Sequence, residues 1–303
     1  MRAAVLHINS AGAESTSPTM RIARYAATYL KLPLIHNVET AAVHADTVFD
    51  TLFVKLGVLK FSNHREHALR IYGNAKRIVN LENDYSFVPD PRLRKLHPKW
   101  RVWGTVPANV REHGGAYVNW NVLTWLYPRP WADKLPAYRP SEPGRLLYYG
   151  AYRPDRIASF ERWLKAVPYP VVVGARATHI KKFKALDERI DVVNFRTPDA
   201  LAQLRGTAIY LEDDTSHALY CSLANRFFEC LQLGIPMLLD AAGARTYEAA
   251  KLPEWQRFVV ESPDKVSGML ADSASIAREQ RRLWYRDFDS VLASQMAKAV
   301  ESL

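Results

Sequence analysis

Cysteine is scarce in this chain of 303 residues, which contains only Cys221 and Cys230. Two thiols are too few for a cysteine-based metal site. Both fall in a segment that reads as helix, about 13 Å apart along its axis, so they cannot bridge each other, and they fit a reducing compartment. Long apolar runs are missing too. None approaches the roughly 18 residues of a membrane span, and the run after Arg2 ends at Asn9, too short for a signal peptide. The expectation is a soluble, cytoplasmic protein with no membrane partner. The familiar phosphate fingerprints are also lacking, with neither a Gly-Lys-Ser/Thr ending nor a Gly-x-Gly-x-x-Gly run. His64, His67, His97 and His113 lack metal-ligand spacing and read as surface or capping residues, and no internal repeat or low-complexity tract occurs.

What is present suits a globular enzyme-sized protein. Hydrophobic residues make up 48% and charged residues 24%, enough for a real core and too apolar for wholesale disorder. The length fits two modest α/β domains or one large one. The net charge is +10 and uneven: 19 Lys and Arg stand against 11 Asp and Glu up to Pro143, and 22 against 20 beyond it. A basic half-molecule attracts polyanions such as nucleic acid, although a soluble protein can carry a positive face without that use.

Arg2 to Asn9 reads as a buried strand that feeds a small-residue loop and an apolar-periodic helix around Met20 to Leu30. Leu32 to His36, Thr51 to Val54 and Arg77 to Leu81 continue the pattern of a parallel sheet with crossover helices. Pro128, Pro130, Pro136, Pro140 and Pro143 then crowd a segment that neither helix nor sheet interior tolerates, and the interdomain linker is placed there. The pattern restarts with strands at Arg145 to Tyr149, Val171 to Val173, Asp191 to Phe195, Ala208 to Leu211 and Ile235 to Leu239. Helices are expected up to Val167, near Pro198 to Leu204 and from about Ser216 to Leu233, with a helical tail from Pro263. Two such units would take ligands at the carboxyl ends of their strands.

Four segments could carry chemistry. Gly150-Ala151-Tyr152-Arg153-Pro154-Asp155-Arg156 follows a strand and opens a helix, so a close-approaching backbone, free amides and two guanidinium forks suit a diphosphate. The alternative is a turn with solvated arginines. Arg226 and Glu229 share one helix face, a cation for phosphate beside a carboxylate for ribose hydroxyls, or simply an intrahelical ion pair. Leu81-Glu82-Asn83-Asp84 closes a strand, where Asp84 could take a proton from an attacking hydroxyl, with Glu82 as a competing candidate and a loop cap as the alternative. Arg92, Arg94, Lys95, Lys99, Arg101 and Arg111 are interleaved with Trp100 and Trp103, as in a phosphate-tracking surface with stacking platforms, whereas Trp120 and Trp125 read as core.

Together these pieces resemble the T-even phage DNA β-glucosyltransferase family of GT-B glycosyltransferases. Leu147-Tyr148-Tyr149-Gly150-Ala151-Tyr152-Arg153 is similar to that family's Gly-Ser-Phe-Arg phosphate turn, and Val172-Val173-Gly174-Ala175-Arg176 and Lys182-Phe183 continue the similarity. Arg226-Phe227-Phe228-Glu229 is similar to its Arg-x-x-Glu helix, and Leu81 to Asp84 parallels the strand end that bears its catalytic aspartate. The match spans most of the chain at low identity. Ala151 stands where the family has a serine, the step from Arg153 to Arg156 is one residue shorter, and Glu14 is out of register with a family glutamate near the donor sugar.

The resemblance implies an α/β fold of GT-B type, two Rossmann-like doubly wound domains facing a central cleft. Residues 1–128 would bind the DNA acceptor, with a C-terminal helix of about 286–303 packing back on them; 129–144 would form the linker and 145–285 would bind the nucleotide sugar. It implies an inverting transferase that moves a hexose, glucose first, from a UDP-sugar such as UDP-glucose to the hydroxymethyl group of hydroxymethylcytosine or hydroxymethyluracil in double-stranded DNA, with the base flipped out. Asp84 is then the general base. Gly150, Ala151, Arg153, Arg156 and Arg226 hold the diphosphate, Glu229 holds the ribose, and the basic stretch from Arg92 to Arg111 meets DNA. No resident metal is implied, a magnesium or manganese ion being compatible with departure of UDP, and the chain is expected to act as a monomer in the host cytoplasm of a bacteriophage. Two other readings compete: the same donor chemistry with a glycan, lipid or small-molecule acceptor, and a non-catalytic DNA-binding protein that keeps the fold.

Overall fold

The computed structural model describes residues 2–8, 18–55, 65–83, 91–123, 146–150, 152–167, 171–175, 177–194, 207–210, 223–249, 253–287 and 291–303. The chain divides into two compact units, Met1–Trp125 with Val291–Leu303, and Leu126–Ser290. The proline-rich segment, the expected helix near Pro198 to Leu204, and the candidates Asp84 and Ala151 lie outside the described residues.

The first unit runs β1 (Ala3–Leu6), α1 (Pro18–Leu30), β2 (Leu34–Ile35), α2 (Val38–His44), β3 (Thr51–Val54), α3 (Arg65–Asn74), β4 (Ile78–Glu82), α4 (Pro91–Leu96), β5 (Arg101–Gly104), α5 (Pro107–His113) and β6 (Gly115–Tyr117). Its strands pair in parallel in the order β2-β1-β3-β4-β5-β6, so the direction of winding reverses between β1 and β3. Every residue of β3 and β4 is buried, as expected of strands covered on both faces. Their Leu52, Val54 and Ile78 join Ala4, Leu6, Ile71, Tyr72 and Trp100 in one core.

The arginine and tryptophan content of Arg101–Gly104 hides a core strand. Trp103 is fully buried with its ring 5.0 Å from that of Phe53, and Trp100 is only 6% exposed. Neither is open to a base, which corrects the expectation of stacking platforms. Trp120 is core, its indole N–H donating to the Trp103 carbonyl at 2.7 Å.

The C-terminal helix Val291–Glu301 belongs to this unit. It buries Leu292, Met296 and Ala299, one face at helical spacing. Gln295 Oε1 accepts from the Asn119 amide at 2.8 Å, the Leu303 carbonyl accepts from Arg77 Nη1 at 2.5 Å, and Arg101 donates to the Ser302 carbonyl.

The second unit runs β7 (Leu146–Tyr149), α6 (Pro154–Ala166), β8 (Val171–Ala175), α7 (Ile180–Lys184), β9 (Ile190–Asn194), β10 (Thr207–Tyr210), α8 (Asn225–Leu233), β11 (Met237–Asp240), α9 (Ala244–Ala249), β12 (Val259–Val260), α10 (Val266–Ala271) and α11 (Ser273–Asp287). The parallel sheet is ordered β12-β11-β10-β7-β8-β9, the dinucleotide-fold arrangement, with its switch point between β7 and β10.

Here α8 begins at Asn225, with Ala224 as an extended N-cap at ψ 160°, so the helix expected from about Ser216 is interrupted at Ala224, and its part before Leu223 lies outside the described residues. Its last turn closes on Gly234 in the left-handed region at φ 71°, with the Gly234 amide returning to the Cys230 and Leu231 carbonyls, where glycine carries no Cβ penalty. Phe227 and Phe228 are fully buried, Phe227 lying 5.3 Å from the Trp255 ring. Gln280 of α11 pairs with the Met237 backbone in both directions, at 2.9 and 2.6 Å, and so fixes the start of β11.

Candidate functional site

In the second unit the switch point is lined from two sides. β7 ends at Tyr149, the chain turns at Gly150, and Arg153 caps α6 with an extended backbone and no side-chain capping bond. The amides of this 13-residue helix open toward the turn. A Cβ on Gly150 would meet Tyr148 Oη at 3.2 Å and Arg156 Nη1 at 3.4 Å, so any larger residue presses on that pair. Arg153 is exposed at the turn.

Arg156 lies beneath the turn, 2% exposed, and donates from Nη1 to Tyr148 Oη at 3.3 Å. The structure therefore puts one guanidinium at the surface of the turn and one under it. The buried cation adds positive potential to a place where helix amides already favour an anion.

The opposite wall is the first turn of α8. The chain leaves β10 at its carboxyl end and α8 runs back toward the amino end of β11, so Arg226 and Glu229 lie at the carboxyl edge. They are 9% and 7% exposed and three residues apart, on one face of the helix. A guanidinium fork of this kind suits a phosphate, and a carboxylate beside it suits vicinal hydroxyls. Cys230 beside them is buried and free. Burial first, and then the Glu229 charge, push its thiol well above the ordinary range, so it is no nucleophile.

A third contact reaches the turn from β8. His179 closes the short helical turn Ala177–His179 before α7, and its Nδ1 lies 3.2 Å from the Tyr152 amide. The Tyr152 ring packs edge-on against Phe183 at 5.2 Å, and the Lys182 ammonium sits 5.4 Å from the centre of the Tyr152 ring. Phe183 in turn touches Tyr148 and Phe160. Sequence reading missed His179 because its partner lies 27 residues away.

The first unit treats its carboxyl edge differently. His7 follows β1, Lys55 follows β3, and Asn80 and Glu82 close β4, all four buried. Lys55 Nζ donates to Glu82 Oε1, and Asn80 Nδ2 donates to Oε2 at 3.2 Å. With both oxygens engaged, Glu82 serves as an anchor of the strand end rather than as a free proton acceptor. Burial, followed by the Lys55 charge, lowers the His7 pKa to about 4, so its imidazole is neutral near pH 7. Asn83 continues from Glu82 toward Asp84.

The basic stretch is distributed across the unit. Arg92 opens α4, while Arg94 and Lys95 are exposed in its last turn. Lys99 is exposed just before β5, Arg101 is bound to Ser302, and Arg111 is exposed in the last turn of α5. Because helices here run antiparallel to the strands, Arg94, Lys95, Lys99, Arg101 and Arg111 gather at the amino edge of the sheet, and only Arg92 starts near the edge that bears Asn83. Arg94 also lies 5.9 Å above the Trp100 ring.

Among the described residues no group of three His, Cys, Asp or Glu is placed to hold a metal ion, and no described helix is long and apolar enough to cross a membrane. No known sequence family and no curated protein matches the chain. Solved structures do. An alpha-glucosyltransferase in complex with UDP-glucose and DNA containing an abasic site aligns with a TM-score of 0.58 at 10% identity, over 99% of each chain. An alpha-glucosyltransferase in complex with UDP and a 13-mer DNA containing a central A:G mismatch aligns at 0.59 and 9% identity, over 99% of this chain and 98% of the other. At such identity the likeness is one of architecture, and that architecture is the GT-B fold expected from the sequence.

Proposed function

We propose that the protein is a UDP-sugar-dependent hexosyltransferase acting on a hydroxymethylated pyrimidine in double-stranded DNA. The observation that carries the donor half is the switch point of the second sheet, where the Gly150 turn, the N-terminus of α6 and Arg153 face the side on which α8 begins with Arg226 and Glu229. Arg153 and Arg226 hold the diphosphate and neutralise the charge that grows on it as the sugar leaves. Arg156 supports the turn from beneath, and Glu229 receives the ribose hydroxyls. The acceptor half is supported by the charge excess before Pro143 and by the shared architecture with proteins solved on DNA.

Asp84, two residues beyond the Lys55–Glu82 anchor, takes the proton from the acceptor hydroxyl as its oxygen attacks the anomeric carbon. The target base leaves the duplex to reach it, since a 5-substituent stacked in the helix is not accessible to a closed site. One displacement inverts the anomeric centre. A product with the same anomeric configuration as the donor would remove Asp84 from this role and leave the donor site intact.

A glycan or other small acceptor is favoured by one observation: most of the basic stretch lies at the amino edge of the first sheet, away from Asn83. Transfer of labelled hexose from UDP-glucose to duplexes containing hydroxymethylcytosine, hydroxymethyluracil or neither separates the readings. Label in modified DNA alone is expected. UDP release with no labelled DNA would assign the enzyme a different acceptor.

A further inference from the structure

We propose that His179 is a positioning residue for the donor site, holding the turn after β7 in the conformation that binds a nucleoside diphosphate. The inference rests on the donor-site reading above and adds a member that neither the sequence motifs nor the two walls of the switch point contain. The Tyr152 amide, two residues past Gly150 and one before the helix-capping Arg153, donates to His179 Nδ1 at 3.2 Å. That bond ties the loop leaving β7 to the loop leaving β8, two neighbouring strands of the sheet.

The donor in this bond is a main-chain N–H, which is always a donor. His179 therefore accepts through Nδ1, and its neutral form carries its proton on Nε2. The tautomer is fixed by the backbone, and the ring cannot rotate without releasing the turn. A second, apolar contact acts on the same residue: the Tyr152 ring packs edge-on to Phe183, itself fully buried against Tyr148 and Phe160. Tyr152 is thus held by its backbone on one side and its ring on the other. Described cationic groups on these elements are Arg153 on the turn, Arg156 beneath it, and Lys181, Lys182 and Lys184 on α7.

With Tyr152 fixed, Arg153 and the first amides of α6 are presented in one geometry before the ligand arrives, and little ordering remains to oppose binding. Because His179 acts through the turn and not on the reacting atoms, its loss weakens donor binding and leaves the chemical step nearly unchanged.

The test is UDP affinity by calorimetry together with donor KM and kcat for the full chain and three variants. His179→Ala removes the acceptor and is expected to weaken UDP binding and raise donor KM about 5- to 10-fold, the worth of one hydrogen bond, with kcat within about twofold. His179→Asn puts a carbonyl oxygen close to the former Nδ1 position and is expected to restore affinity. His179→Gln reaches the former Nε2 position and is expected not to. Matching thermal melts of the variants exclude a folding defect as the cause. Unchanged affinity in His179→Ala, equal rescue by Asn and Gln, or a loss confined to kcat each overturns the proposal. Wild-type protein that binds no UDP overturns the donor-site reading with it, whereas UDP binding that is sensitive to Arg226→Ala and insensitive to His179→Ala overturns this inference alone.

Discussion

The two sheets share an all-parallel, six-stranded plan and use their carboxyl edges in opposite ways. In the first, His7, Lys55, Asn80 and Glu82 are buried together, a cation and an anion satisfied by each other and by an amide. In the second, the edge presents a glycine turn, two helix N-termini and an exposed arginine, with its buried guanidinium donating to a tyrosine hydroxyl. A buried ion pair contributes little net stability, because desolvation cancels most of its attraction, yet it is costly to break on one side. It therefore fixes the exit of β4, from which the chain proceeds to Asp84. On the proposed donor-site reading the second edge has the reverse character, its helix N-termini and arginines coming into use when an anionic ligand fills it. On the proposed function, the first edge orients the acceptor chemistry and the second binds the donor.

The largest expected effect falls on the first edge. Asp84→Ala should lower transfer by about 10²- to 10⁴-fold, the usual worth of a positioned proton acceptor, with DNA and UDP affinities retained in gel-shift and calorimetric measurements. Lys55→Met should destabilise the fold by about 3–5 kcal/mol in urea titrations by stranding Glu82, and Lys55→Met with Glu82→Leu should recover most of that loss. If the single and double variants are equally unstable, the pair is not the anchor described.

His7 gives the same edge a pH signature. The folded imidazole has a pKa of about 4, below the ordinary 6.5 of a histidine, so its contribution to stability is complete above pH 6.5. As pH falls from there the unfolded chain takes up a proton that the folded one refuses. About 3 kcal/mol is lost by the time pH has fallen through about 4, where the loss levels off. His7→Leu should remove this slope from the stability profile.

On the second edge, Arg226→Ala should weaken UDP binding by roughly 10- to 100-fold, as expected for a charged hydrogen-bond donor, with DNA affinity unchanged. The smallest effect is expected from Arg94→Ala with Lys99→Ala. These amino-edge cations should lower the salt dependence of DNA binding by about two phosphate contacts and leave turnover on saturating DNA as it was. A collapse of kcat in that pair would mean that the amino edge meets the reacting base.

Much of this division is readable from residues close in sequence. The apolar runs at Thr51 to Val54, Val171 to Val173 and Ala208 to Tyr210 announce parallel strands, and Gly150 before Arg153 and Pro154 announces a strand-to-helix turn. Strand order is another matter, because nothing local tells β1 to lie between β2 and β3. β5 and β6 are disguised by Arg101, Gly104 and Gly115, whose composition reads as loop. Trp100 and Trp103 looked like stacking platforms because interleaved arginines and tryptophans have the same composition whether the rings face solvent or core. The Lys55–Glu82 pair and the His179–Tyr152 contact each join residues 27 apart, on neighbouring strands or the loops that leave them, so no local pattern can reveal them.

The most direct test of the donor site is a crystal structure of the protein grown with UDP. The account predicts the diphosphate against the Gly150 to Arg153 turn and the N-terminus of α6, with Arg226 on a phosphate oxygen and Glu229 on the ribose hydroxyls. UDP seated at the His7 and Lys55 edge, or at the second switch point with Arg226 and Glu229 both turned away from it, would contradict the account.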